Sequence, residues 1–152
     1  METEYLKPFV EGVTELVSTM LQSACSIAPN EGPQSADVSG IISLTGHLPV
    51  QVALSFPRTT ATKMVAQLLA MDESEVDDAI LGDGVGEMAN IVAGMAKSRL
   101  SSEDSPLRLS LPSVIVSSGH VLPFIDHTEV AHLHLISDLG EFSLRVCPSA
   151  AP

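Results

Sequence analysis

The segment Gly86-Glu87-Met88-Ala89-Asn90-Ile91-Val92-Ala93-Gly94-Met95-Ala96-Lys97 sets a carboxylate and a carboxamide three residues apart. A carboxamide accepts a hydrogen bond through its oxygen and donates through its nitrogen. Asn90 can therefore hold a water molecule against a second polar atom. Asparagine competes with the backbone for hydrogen bonds and is a poor residue for a helix interior, yet Asn90 sits among Ala, Met, Ile and Val. Propensity does not explain its placement.

Such a pair must be presented by an element, and the surrounding pattern predicts an α-helix. At 3.6 residues per turn, Met88, Ala89, Ile91, Val92, Ala93, Met95, Ala96 and Leu100 share one apolar arc. Asp83, Glu87, Asn90, Gly94 and Lys97 share the other. Residues three apart are neighbours on a helix surface, so Glu87 and Asn90 project together. Gly86 and Gly94 lie one turn either side of Asn90 and leave its amide clear for the close approach of a partner. The plainer alternative is that the glycines serve packing on a sheet and that Glu87 and Asn90 are solvated surface residues. Spacing alone does not separate the two.

A longer stretch does. Asp83, Glu87 and Asn90 in the pattern D-x-x-x-E-x-x-N, the run 91–97, and Leu109-Ser110-Leu111-Pro112-Ser113-Val114 together resemble the CheC/CheX/FliY family of chemotaxis phosphatases. That family carries an acidic or serine residue, then E-x-x-N on a helix, then a proline a little over twenty residues later. Here 21 residues separate Asn90 from Pro112. CheC-like members often carry two such helices. This chain has only Asn30 and Asn90, and Asn30 lies in a Pro-Asn-Glu-Gly-Pro loop, so the single site is similar to the CheX pattern. The opening Met1-Glu2-Thr3-Glu4-Tyr5-Leu6-Lys7-Pro8-Phe9-Val10 also resembles the start of CheX proteins.

The resemblance implies a phosphatase that hydrolyses the aspartyl phosphate of a CheY-type response regulator. Asn90 would orient the attacking water, and Glu87 would dock on the receiver's active-site lysine. Asp83, Gly86, Gly94, Lys97 and Pro112 would contact the partner or shape the surface that does. The chain would need no cofactor or metal of its own, because the receiver brings Mg2+. Homodimers joined through their sheets are the expected assembly. The alternative is a non-catalytic adaptor that binds a response regulator through the same helix face.

Composition narrows the classes. The 152 residues suit one domain spanning 1–152 with a core of its own. Hydrophobic residues make up 45 % but aromatic ones only 3 %, so that core must be mostly aliphatic. A net charge of -12 argues against nucleic acid and anionic membrane surfaces, which require Lys and Arg in excess. Cys25 and Cys147 are far apart and lack C-x-x-C spacing, and the chain opens on polar residues. Free thiols in the cytoplasm are therefore expected.

Along the chain, residues 3–27 place Phe9, Val13, Leu16, Val17, Met20 and Leu21 at helical spacing, with Pro8 tolerable near the start. Residues 38–46 and 50–56 alternate and predict a hairpin. Thr59 or Thr60 is a candidate cap for a helix with Met64, Val65, Leu68 and Leu69 inward, and Ser74 with Asp77 has capping-box spacing before the motif helix. Leu107, Leu109 and Leu111 alternate, Val114 to Val116 follow, and 131–135 and 142–146 form a last hairpin turned at Asp138-Leu139-Gly140. One apolar face per strand and hairpin links predict an α+β fold with helices over a largely antiparallel sheet, as the resemblance also implies.

Two other constellations are weaker. His120, His127, His132 and His134, with Asp126, invite a metal reading, but only His132 and His134 have a fixed mutual relation. The acidic run Asp72, Glu73, Glu75, Asp77, Asp78 and Asp83 has no calcium-loop spacing, and Gly82-x-Gly84-x-Gly86 lacks a phosphate-loop lysine.

Overall fold

The computed structural model describes residues 3–123 and 130–148. Seven strands form one sheet: β1 (Cys25–Ile27), β2 (Ala36–Thr45), β3 (Val50–Phe56), β4 (Arg108–Leu109), β5 (Ser113–His120), β6 (Ala131–Ser137) and β7 (Gly140–Pro148). Their order is β1-β6-β7-β3-β2-β4, with β5 also on β2, and every pairing is antiparallel. Three helices, α1 (Thr3–Glu15), α2 (Arg58–Leu69) and α3 (Asp78–Leu100), cover one face. The expected α+β architecture is the one observed.

Strand alternation divides the sheet. Val38, Ile42, Leu44, Val52, Leu54, Phe56, Phe142, Leu144 and Val146 form the core with the helices. Phe56 and Phe142 stack at 5.4 Å. An aliphatic core of this kind gives roughly 25 cal/mol for each Å² of apolar surface removed from water.

The motif helix α3 runs unbroken through Gly82, Asp83 and Gly84, and small residues seat it. A Cβ at Gly40 of β2 would meet the Val85 carbonyl at 3.0 Å, and one at Gly12 of α1 would meet the Val92 carbonyl at 3.1 Å. At Gly84 a Cβ would lie 2.6 Å from the Val65 methyls of α2. The sheet and both other helices thus approach the α3 backbone closely. Arg99 reinforces the seat by pairing with Glu15 at 3.0 Å and Glu11 at 3.6 Å.

Several expectations need correction. The first helix ends earlier: α1 is followed by a π-type turn at Leu16–Met20, and Cys25–Ile27 is an edge strand. Met20 is accordingly 43 % exposed. Pro8 lies inside α1. Neither Thr59 nor Thr60 caps α2; Pro57 precedes it, and Asp37 of β2 accepts from the Arg58 amide at 3.0 Å. Leu69 faces out because α2 ends there, at a left-handed Ala70. Asp77 is not the distal member of a capping box: it caps α3 itself, accepting from the Ile80 amide at 2.9 Å.

Candidate functional site

Asp83, Glu87 and Asn90 stand exposed along one side of α3, and Gly94 and Lys97 continue it half-buried. The opposite arc is buried as expected, with Met88, Ala89, Val92, Ala93 and Ala96 in the core. Asp77 fixes the first turn, and Lys97 and Arg99 lie in the last turn, where cations suit the helix dipole. Glu87 and Asn90 therefore project from a helix held rigid on three sides. Among the described residues neither side chain has a hydrogen-bond or ion-pair partner. Two such neighbours have Cβ atoms about 5–6 Å apart, a span that reaches a small oxyanion and a cation beside it.

The five candidate partner residues divide. Asp83 lies one turn before Glu87 and is open. Gly86 is not a point of partner approach: it is buried, and a Cβ there would meet Val114 Cγ2 at 3.1 Å and Pro112 Cγ at 3.6 Å. Its bareness admits the chain's own edge. Gly94 differs, since a Cβ there would find nothing within 4 Å among the described residues. Pro112 is itself exposed and borders the site through that contact with Gly86. Lys97 sits near the helix end, its carbonyl accepting from the Ser101 amide.

The site is a convex helix face. Two surface hollows, of about 320 Å³ and 250 Å³, are lined by residues of α2, the turn after it and the β6–β7 turn. Neither includes an α3 residue. A protruding amide and carboxylate suit insertion into a partner's cleft, whereas small substrates are usually enclosed in concave sites.

The histidines do not converge. His120 is on β5 and His132 and His134 are on β6, four strand spacings away, or about 19 Å at ~4.8 Å per strand. His127 and Asp126 lie outside the described residues. Among the described residues no group of three or more His, Cys, Asp and Glu side chains could hold a metal ion. Nor are these histidines merely solvated: His134 is 7 % exposed, and its Nδ1 lies 2.9 Å from Asn30 Oδ1.

The sheet face away from the helices carries a buried polar row that the sequence reading missed. Arg145 Nη1 donates to Ser55 Oγ at 3.2 Å, Ser55 lies 2.8 Å from Ser39 Oγ, and Ser39 lies 2.7 Å from His120 Nε2. His120 Nδ1 is 2.7 Å from the Ser117 carbonyl. A carbonyl can only accept, so Nδ1 donates, and where the ring carries that one proton Nε2 accepts from Ser39. That assigns one direction to the whole row, from the Arg145 guanidinium to His120. Ser39 and His120 have the contact of a nucleophile and its base, but Ser39 is fully buried. The row instead holds strands, and Arg145 Nη2 reaches across to the carbonyls of Pro33 at 3.4 Å and Gln34 at 3.3 Å. Alternating Ser and His on successive strands was the available signal.

Comparison with known proteins bears on the family and the fold. The family model described as chemotaxis phosphatase CheX matches residues 38–134. No curated protein matches the chain. A chemotaxis protein CheX from Desulfovibrio desulfuricans is similar at 27 % identity and a TM-score of 0.78, covering 96 % of this chain and 99 % of that one. CheX from Vibrio vulnificus, at 22 % identity, shares the fold with a TM-score of 0.81 over 95 % of each chain. The CheX–CheY–BeF3–Mg2+ complex from Borrelia burgdorferi matches at 18 % identity and 0.69, covering 96 % of this chain and 98 % of that one. Because the family model spans more than half of the 152 residues, the chain belongs to the CheX family of chemotaxis phosphatases.

Proposed function

We propose that this chain hydrolyses the aspartyl phosphate of a CheY-type response regulator. The observation that carries the reading is the exposure of Glu87 and Asn90, side by side and without partners among the described residues, on a helix otherwise seated in the core. An acyl phosphate is already reactive, and the receiver supplies the Mg2+ that neutralises its oxygens. What it lacks is a water held in line.

The Asn90 amide oxygen accepts from that water while its nitrogen donates to a phosphoryl oxygen, fixing both in one geometry. The water oxygen forms a bond to phosphorus as the bond to the aspartyl oxygen breaks. The aspartate leaves as a carboxylate, and inorganic phosphate takes up the water's remaining atoms. Glu87 would be repelled by the phosphoryl group and instead pairs with the receiver's lysine, which sets the insertion depth of Asn90. Asp83 adds a peripheral contact. The reaction would take place in the cytoplasm; among the described residues no helix is long and apolar enough to cross a membrane.

A homodimer is part of the same reading. Strand β5 pairs with β2 on one side only among the described strands, and an open strand edge is the usual means of sheet continuation across a two-fold axis.

The test is the dephosphorylation rate of a phosphorylated, Mg2+-loaded receiver from the same organism, alone, with this chain, and with Asn90→Ala. Acceleration lost in the variant supports the reading. Equal acceleration by Asn90→Ala would refute the mechanism, and binding without acceleration by the wild-type chain would assign an adaptor role to the same face.

A further inference from the structure

We propose that Leu111 is the apolar anchor by which this chain grips the receiver beside its reactive phosphoryl group. The inference rests on the Glu87–Asn90 reading above and adds the contact that would give docking its apolar affinity.

The alternation of Leu107, Leu109 and Leu111 predicts three side chains on one buried face. Leu107 is 2 % exposed and Leu109 half-buried, but Leu111 is 88 % exposed, more than any other large apolar side chain among the described residues. The chain enforces this outward turn. Strand β4 ends at Leu109, and Ser110 clamps to Ser43, its amide donating to the Ser43 carbonyl at 2.9 Å and its Oγ accepting from the Ser43 amide at 3.0 Å. Two residues later Pro112, which has no amide to continue a ladder, lies against Gly86. Between these anchors the strand pairing lapses, and Leu111 is turned away from the core.

Register then places Leu111 beside the site. Gly82 of α3 faces Val114 and Val116, and Gly86 faces Pro112 and Val114, so helix and edge run in opposite directions. One further turn along α3, about 6 Å at 1.5 Å per residue, brings Asn90 level with Leu111. A protruding leucine, with Val114 also 37 % exposed beyond it, therefore flanks the protruding amide and carboxylate. Binding energy in interfaces concentrates in a few side chains that become fully desolvated and well packed, and burying a leucine contributes through the apolar area removed from water.

Leu111 lies level with Asn90, so a receiver whose phosphoryl group meets Asn90 would also cover Leu111, whereas the second copy of this chain is assigned to the open backbone edge of β5. Gly94 supplies a separate observation. A glycine in a helix interior costs about 1 kcal/mol relative to alanine, and unlike Gly84 or Gly86 no neighbour among the described residues accounts for it. Its open flank, one turn beyond Asn90, is the space a docked partner would fill.

The experiment measures dephosphorylation of the Mg2+-loaded, acetyl-phosphate-phosphorylated receiver against receiver concentration, for wild type, Leu111→Ser and Leu111→Met. Solution mass is measured for each. Leu111→Ser is expected to raise the half-saturating receiver concentration at least about tenfold, with maximal rate and mass unchanged, and Leu111→Met to stay near wild type. An unchanged half-saturation in Leu111→Ser would overturn the anchor, as would a fall in mass, which would give Leu111 to an interface between copies. Should wild type fail to accelerate, the phosphatase reading fails on its own. Binding to a beryllofluoride-loaded receiver then decides: weakening by Leu111→Ser keeps the anchor on an adaptor face, and unchanged or absent binding overturns it.

Discussion

Gly86 and Pro112 pack on each other, with the proline ring over the place where a side chain on α3 would begin. This contact joins the two halves of the motif, the helix with its carboxylate and amide and the edge segment that follows some twenty residues later. Proline contributes a fixed φ and no amide donor, so it sits in the gap between the β4 and β5 pairings with β2 and packs on the helix. Glycine contributes the room. The spacing of the motif is thus the length of chain needed to leave the end of α3, turn at 101–107, and return along β2 to the level of Gly86.

The glycines of α3 should respond oppositely to one substitution. Gly84→Ala would set a methyl 2.6 Å from the buried Val65 side chain, and overpacking of that kind costs about 1–3 kcal/mol. Gly94→Ala meets nothing within 4 Å among the described residues and should stabilise by about 0.5–1 kcal/mol through helix propensity. Denaturant midpoints check both. Gly94→Ala should nonetheless dock less well, because its methyl occupies the space left for the receiver, and higher stability with a raised half-saturation is an outcome that loss of fold cannot mimic.

Asn90 and Glu87 should separate kinetically. Loss of an interaction made only in the transition state lowers the maximal rate, whereas loss of uniform binding raises the half-saturating concentration. Asn90→Ala is expected to lower the maximal rate about 10²-fold, the scale of lost positioning, while binding persists. Glu87→Ala is expected to raise half-saturation. It should also flatten the salt dependence of docking, because a charge pair is screened as ionic strength rises. A wild-type salt dependence in Glu87→Ala would remove its docking role.

Much of this was legible in the residues. The apolar arc of α3, the hairpins β2–β3 and β6–β7 and the exposed Glu87 and Asn90 follow from periodicity, which reports burial on one face. What stayed hidden depended on partners distant in sequence. Gly86 and Gly94 look alike on a helical wheel, and only the return of Pro112 and Val114 separates them. Leu111 fits the alternation of Leu107 and Leu109, but the pairing with β2 lapses after Leu109 and resumes only at Ser113. Alternating His and Ser usually mark a solvated strand face, so the burial of His134 required the crossing of Asn30 and Gly32 over it, and Ser39 is held between Ser55 and His120.

Asp37 should make stability depend on acid. Its carboxylate accepts from the Arg58 amide and the Gly119 amide, each at 3.0 Å, capping α2 from a neighbouring strand and tying down the end of β5. Those amides, the Arg58 one first, hold its pKa below the ordinary 3.8. A carboxyl depressed in the folded state stabilises fully above its unfolded pKa and loses that contribution as pH falls through the folded value. Asp37→Asn should therefore destabilise the protein at pH 7, with a difference from wild type that shrinks below about pH 3.8. An equal difference at both pH values would show that charge has no part in the cap.

His132 should produce a second dependence nearer neutrality. It faces Arg145 across the β6–β7 pair, and its pKa lies below the ordinary 6.5, chiefly through burial and then through the Arg145 charge, with Glu31 opposing and His134 adding to the depression. The folded state therefore holds this ring neutral in a range where the unfolded chain takes up a proton. Stability is full above pH 6.5 and declines as pH falls from there to the folded pKa. His132→Gln removes the titrating group, so unfolding midpoints followed from pH 7 to pH 5 should fall less steeply for the variant than for wild type. Parallel curves would mean that the polar row tolerates a charged His132 beside Arg145, against the burial and like charge that surround it.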